Sequence, residues 1–117
     1  MRMWMVNPKI MCRKHLLGEH VECHMFVGTL NQGKSVNGYL RKGLLEIKSL
    51  HYRHKELVIE MKKRGYKHKS ELPLLQGFKL NPNLFNQIGR RSVNRVKSLQ
   101  DLVGRCLDCK NQYELMV

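Results

Sequence analysis

Residues 47–65, IKSLHYRHKELVIEMKKRG, carry the plainest structural signal in this 117-residue chain. Leu50, Leu57, Val58 and Met61 recur at helical steps and define an inward face, with Lys, Arg and His turned outward. Lys62, Lys63 and Arg64 complement the negative end of the helix dipole, and Gly65 offers the left-handed residue that closes a helix. A helix from about Ile47 to Arg64 is therefore the fixed point from which the rest is placed.

Toward the N-terminus, Asn7-Pro8 has the chemistry of a helix start, because Asn accepts from orphan N–H groups and Pro at the next position has no donor to satisfy. Ile10, Met11, Leu17, Val21, Met25 and Leu30 then recur at near-helical steps, predicting a long helix to about Leu30 that Asn31-Gln32-Gly33 stops. Ser35 is expected to cap a short helical piece through Tyr39-Leu40, ended by Gly43. Toward the C-terminus, residues 66–82 hold two of the three prolines and no lasting periodicity, as a surface loop would. A third helical region is expected from about Leu84, interrupted near Gly89-Arg90-Arg91-Ser92. It restarts at Ser98, where Ser98-Leu99-Gln100-Asp101 resembles a capping box, and runs toward Cys109. Strand signals are few. The expected architecture is all-α: a compact single domain over residues 1–117, with about three main helices and a long surface loop.

The charge narrows the function. With 22 Lys+Arg against 9 Asp+Glu the formal net charge is +13, and the basic residues run from Arg2 to Lys110 rather than forming a tail. Such a field favours a polyanion. A membrane is the weaker choice, because no apolar run approaches the roughly 18 residues of a span and no basic amphipathic helix ends in an aromatic anchor. Double-stranded DNA or another nucleic acid is the expected partner, bound by a monomer. No apolar leader with a small-residue cleavage site is visible, so a cytoplasmic location in a bacterial or phage-infected cell is expected, with Cys12, Cys23, Cys106 and Cys109 reduced.

Against this basic background the first helix gathers an acidic spot. His15, Glu19 and Glu22 stand at i, i+4 and i+7, on one helix face, with His20 and His24 on flanking faces. The plain interpretation is a solvated polar face or an internal salt bridge to a cation on another helix. A divalent-cation site is the second, although HLLGEH matches neither H-E-x-x-H nor H-x-x-E-H. The third is catalysis, with a carboxylate facing positive charge that develops on a DNA sugar.

The run HLLGEHVE at residues 15–22, followed by HKELVIEMKKRGYKHKS at residues 54–70, resembles the pyrimidine-dimer DNA glycosylase family of phages and bacteria, the endonuclease V type. The resemblance extends through about Ser70. It implies a compact helical enzyme acting as glycosylase and AP lyase on a damaged base, through the α-amine of residue 1 and an essential glutamate on the first helix. By position the amine falls on Met1, the glutamate on Glu22, the preceding histidine on His15 and a DNA-contacting arginine on Arg2. Val21 and Met25 stand where dimer-specific members carry arginine. An α-amine titrates near 7.7–8.0 against about 10.4 for lysine, so its nucleophilic form is far more abundant at neutral pH. Arg2 is too bulky for ordinary methionine removal, so Met1 is expected to persist once deformylated. Arg2, Arg13, Lys14, His15, Arg90, Arg91, Arg95 and Lys97 are the candidate DNA-binding residues. No cofactor is required for this chemistry. The competing functions are a non-catalytic nucleic-acid-binding protein on the same scaffold and a metal-dependent nuclease using His15, Glu19 and Glu22.

Cys106-Leu-Asp-Cys109 has half the spacing of a zinc site, and Cys12-x-x-His15 supplies the other half if the C-terminal helix packs on the first. A structural zinc on Cys12, His15, Cys106 and Cys109 stands beside the alternative of buried inert thiols. A histidine bound to zinc is no longer a free catalytic group. Trp4 is placed either to stack on a base or to fill the core, and Met1, Met3, Met5, Met11 and Met25 suit adaptable core packing.

Overall fold

The computed structural model describes residues 1–68, 70–75 and 91–117. Its α-helices are α1 (Arg13–Asn31), α2 (Asn37–Arg41), α3 (Leu50–Lys63), α4 (Arg95–Arg105) and α5 (Leu107–Met116), with single 3₁₀ turns at Pro8–Ile10 and Ile47–Ser49. Among the described residues there is no strand, and no helix is long and apolar enough to cross a membrane. The fold is all-α, as the periodicity of residues 47–65 indicated. The expected helical stretch from about Leu84 and its interruption at Gly89-Arg90 lie outside the described residues.

α1 packs against α3, and Leu16, Phe26, Val27, Leu50 and Leu57 are fully buried. Each such side chain contributes roughly 1.5–3 kcal/mol of transfer free energy. α3 buries Leu50, Leu57, Val58 and Met61 as expected, and Gly65 closes it at φ +81°. The expected outward turn of its Arg and His residues fails at Arg53 and His54, which are buried. On α1 the apolar stripe is displaced. The buried face consists of Leu16, Glu19, His20, Cys23, Phe26 and Val27, while Val21 and Met25 are 54 % and 49 % exposed. Hydropathy misplaced this face because two of its inward positions are a glutamate, paired with Arg53 of α3, and a histidine whose ring lies against that of His54.

α1 also starts later than Asn7-Pro8 suggests. The Asn7 side chain does accept from the Lys9 N–H (3.1 Å), but the turn it caps is the 3₁₀ turn, and Met11 and Cys12 are extended before Arg13 opens the helix. α2 follows the Ser35 region and is ended by Gly43 at φ +69°. α4 begins at Arg95 rather than Ser98: Asn94 accepts from the Lys97 N–H (3.0 Å), and Ser98 lies buried inside the helix. An extended residue at Cys106 then separates α5 from α4.

The N-terminal segment is part of the core, with Met3, Trp4, Met5 and Val6 all buried. The Met3 N–H donates to the Leu44 carbonyl (2.7 Å), the Trp4 carbonyl accepts from the Ser98 hydroxyl, and the Val6 carbonyl accepts from Arg53 Nη1 (2.6 Å). Between the last two clamps Met5 sits at φ +55°, a conformation that costs an L-residue about 1–2 kcal/mol. Side chains on α3 and α4 thus over-determine the path of residues 1–6. Of the methionines read as core filler, Met3, Met5 and Met11 are buried, Met1 is half-buried, and Met25 is on the surface.

Candidate active site

A cleft of about 500 Å³ opens between the N-terminal segment and α1, lined by Met1, Arg2, Trp4, Lys14, His15, Gly18, Glu19, Glu22, Leu44 and Arg105. Glu22 is half-buried in it, and the Arg2 backbone N–H donates to its Oε2 (3.3 Å). Burial pushes the Glu22 carboxyl above the usual carboxylate range, while the Arg2 N–H and the charge of the Met1 amine pull it back. The amine-bearing residue and the one carboxylate without an ion-pair partner in the cleft therefore share its wall. Of the two other clefts described, one is built largely from apolar residues around Met5, Ile10 and Tyr113, and the other from the end of α4. Neither brings a carboxylate to a nucleophile.

Arg2 acts as a strut. Its guanidinium lies over the Trp4 ring (3.8 Å), donates to Ser98 Oγ (3.2 Å) and faces Asp101 (3.7 Å), tying the start of the chain to α4. Trp4 is buried beneath it, its ring edge-on to His15 at 5.7 Å.

Glu19 has a different fate from Glu22. Both of its oxygens are held by Arg53, Nε to Oε2 at 2.6 Å and Nη2 to Oε1 at 2.8 Å, and the two side chains are 0 % and 1 % exposed. Arg53 also bonds Glu56 (2.5 Å) and the Val6 carbonyl. This is the internal salt bridge weighed for the acidic spot, made by Glu19 rather than Glu22. With Glu19 so engaged, His15, Glu19 and Glu22 do not form a convergent cation site among the described residues.

The candidate DNA-binding cations are scattered in environment. Arg13 is exposed and lies over the Tyr66 ring (4.8 Å); Lys14 is exposed on the cleft wall; Arg91 and Lys97 are exposed on and before α4. Arg95 is turned onto the buried Glu46, with Nη2 donating to Oε2 (2.9 Å) and Nη1 to Oε1. Although burial works against it, this pair, the Ser49 hydroxyl and the Val93 N–H (2.9 Å) hold the Glu46 carboxyl down at about 2. Arg90 lies outside the described residues. The cleft also includes Arg105, a cation that nothing local in the sequence distinguishes from the others.

The two halves of the proposed zinc spacing meet. Cys12 and Cys106 are the N-cap residues of α1 and α5, so His15 and Cys109 each lie three residues into a first turn. Cys12 Sγ is 3.2 Å from His15 Nδ1 and 3.8 Å from Cys106 Sγ, and Cys109 Sγ is 3.7 Å from His15 Nδ1. Cys23 is apart from this group, buried near Glu19, where burial pushes its thiol up to about 12.

A second group was not anticipated. His20 and His24 of α1, His54 of α3 and His68 beyond it stack with ring centroids 4.7–5.4 Å apart. His20 and His24 are at i and i+4, a shared face that the spacing alone could have flagged.

No curated protein and no solved structure matches the chain. The family model described as pyrimidine dimer DNA glycosylase matches residues 1–74, which contain the N-terminal segment, α1, α2, α3 and every cleft residue except Arg105. α4 and α5 fall beyond that match. With Met1 and Glu22 on one cleft wall and well over half of its length matched, the chain belongs to the pyrimidine dimer DNA glycosylase family.

Proposed function

We propose that this protein is a DNA glycosylase with AP-lyase activity, acting on a pyrimidine dimer or related lesion through the α-amine of Met1. The observation that supports this reading is the Arg2 N–H bond to Glu22 Oε2, which ties the residue next to Met1 to a half-buried carboxylate that feels the charge of the Met1 amine. The unprotonated amine attacks C1′ of the damaged nucleotide, forming an N–C1′ bond while the base departs with the electrons of the glycosidic bond. Opening of the sugar leaves an imine on Met1. Loss of a C2′ proton then expels the 3′ phosphate and cuts the strand. Glu22 opposes the positive charge that builds on the sugar and takes and returns protons at C2′ and the ring oxygen, two contributions for which a carboxylate within reach is sufficient.

The amine needs a fixed position, since covalent catalysis depends on a preset approach. Three clamps supply it: Leu44 on the Met3 N–H, Ser98 on the Trp4 carbonyl and Arg53 on the Val6 carbonyl. Duplex DNA must be bent and a nucleotide extruded to bring C1′ to the cleft. Lys14 and Arg105, which line the cleft, and the exposed Arg13, Arg91 and Lys97 are the cations proposed to hold the phosphates. Arg95 is omitted because Glu46 already neutralises it. Val21 and Met25, exposed on the turns that flank Glu22, are apolar where arginine would have met the lesion.

Borohydride trapping on duplexes that carry an abasic site or a cyclobutane dimer tests this reading. The expected result is a covalent adduct whose peptide maps to residue 1, formed in EDTA and lost in Glu22→Gln. Strand cleavage with no trapped adduct, or an adduct mapped to a lysine, would overturn the amine mechanism. Tight binding with neither cleavage nor trapping would leave a non-catalytic DNA-binding protein.

A further inference from the structure

We infer that Cys12, His15, Cys106 and Cys109 form a structural zinc site that bolts the C-terminal helix to the wall of the cleft. The four ligand atoms all lie within 4.8 Å of one another. A tetrahedral zinc with Zn–S of about 2.3 Å and Zn–N of about 2.0–2.1 Å places its ligands roughly 3.5–3.8 Å apart. The separations of 3.8 Å between Cys12 and Cys106 and 3.7 Å between Cys109 and His15 fall at that spacing, with 3.2 Å between Cys12 and His15 slightly inside it.

Two features of the surroundings favour thiolates. Cys12 and Cys106 sit at helix N-termini, where the dipole favours negative charge. The Cys12 N–H points at Cys109 Sγ (3.2 Å) and the Cys109 N–H at Cys106 Sγ (3.5 Å), so two amides support the sulfurs that a metal would deprotonate. Four protein ligands fill a tetrahedron, so the site has no open position and is structural rather than catalytic. Its consequence is architectural. Cys106 and Cys109 lie beyond the matched residues 1–74, and the metal would pin them to Cys12 and to His15, a cleft residue in edge contact with Trp4.

The test uses the full chain purified without chelator. One zinc per chain bound at these residues is expected by elemental analysis, and replacement by cobalt(II) should give tetrahedral d–d bands with a strong thiolate-to-cobalt charge-transfer band. Cys106→Ser should weaken zinc binding at least tenfold, and Cys23→Ala should leave it unchanged. With zinc bound, alkylation of Cys12, Cys106 and Cys109 should be blocked. A wild-type chain that holds no zinc and takes up no cobalt at micromolar concentration, or cobalt spectra without thiolate charge transfer, would overturn the proposal whether or not the variants fold. None of these readouts depends on glycosylase activity.

A separate observation points to a second metal site. The imidazoles of His20, His54 and His68 present ligand nitrogens within 4.8 Å of one another, and the buried Nε2 atoms of His20 and His68 have no hydrogen-bond partner. Orphaned buried nitrogens are rare, and two on rings whose centroids are 5.0 Å apart call for a shared partner. His24 Nε2, 3.2 Å from His54 Nε2, stands ready as a fourth contact. We propose that this cluster binds a divalent transition metal of imidazole preference, joining α1 and α3 to the segment after α3. Titration of cobalt(II) into the zinc-loaded chain should reveal one further equivalent without thiolate charge transfer, lost in His20→Asn and kept in Cys106→Ser. Saturation at a single thiolate-bound equivalent, with histidine ring signals in nuclear magnetic resonance unmoved by excess metal, would refute it.

Discussion

Replacing Arg53 by methionine preserves most of its length while removing the guanidinium, and leaves Glu19 as a carboxylate with a fully buried side chain and no cation. The Val6 carbonyl loses its donor in the same step. Breaking a buried pair by removing one partner costs about 3–5 kcal/mol, because the surviving charge is desolvated without compensation. Against a total of roughly 5–15 kcal/mol for a domain, a loss of about 4 kcal/mol is a large fraction. At about 4 °C per kcal/mol for a chain of this size, the melting midpoint should drop by about 16 °C. Urea unfolding followed by far-ultraviolet circular dichroism gives the free energy, and adding Glu19→Leu separates charge from packing. The double variant Glu19→Leu/Arg53→Met leaves no buried charge and should recover more than half of the loss. It should not recover cleavage in full, since the Val6 clamp that fixes the N-terminal segment stays broken. An Arg53→Met chain destabilised by less than 1 kcal/mol, or a double variant less stable than the single one, would show that Glu19 is not left as the buried, unpaired charge inferred from the geometry.

Stability should fall in acid through Glu46. Its folded carboxyl is held at about 2 against about 4.3 for an unfolded glutamate, so the stabilisation is complete above about pH 4.5 and is lost as the pH drops toward 2. On the order of 2 kcal/mol should disappear over that window in urea titrations, and Glu46→Gln should flatten the dependence. Glu22→Gln should lower the lyase rate by roughly 10²–10⁴-fold in single-turnover cleavage while the melting midpoint holds or rises, since a desolvated carboxylate is removed. In the wild type, cleavage should fail in acid at a pH above the ordinary carboxylate range, because burial raises the Glu22 pKa and because the attacking amine must also be free of its proton. A limb at the pH of a free glutamate would refute the assignment. Lys14→Ala should weaken binding to all duplexes alike and reduce the slope of log K against log salt by about 1, whereas Arg95→Ala should leave the slope unchanged.

Residues 47–65 determined a great deal without tertiary information. Their apolar spacing and terminal Gly65 set α3, and low strand propensity with helical periodicity set an all-α fold, because amphipathic period and left-handed glycine are local properties. HLLGEHVE and the second run pointed to Glu22 and Met1 through the family pattern, and the fold sets both in the lining of one cleft; Cys-x-x-His with Cys-x-x-Cys declared its spacing openly. Tertiary structure decided which side of α1 is inside. Glu19 is buried there because Arg53 arrives from α3 to pair with it, and His20 because the rings of His54 and His68 pack against it; no hydropathy pattern registers a partner 34 residues away. It also decided that Arg95 is an internal counter-ion to Glu46, that Ser98 holds Trp4 rather than capping a helix, and that residues 94 apart in sequence converge around His15. Local sequence fixes the conformation a segment prefers; the charge or metal it meets depends on which other segments fold against it.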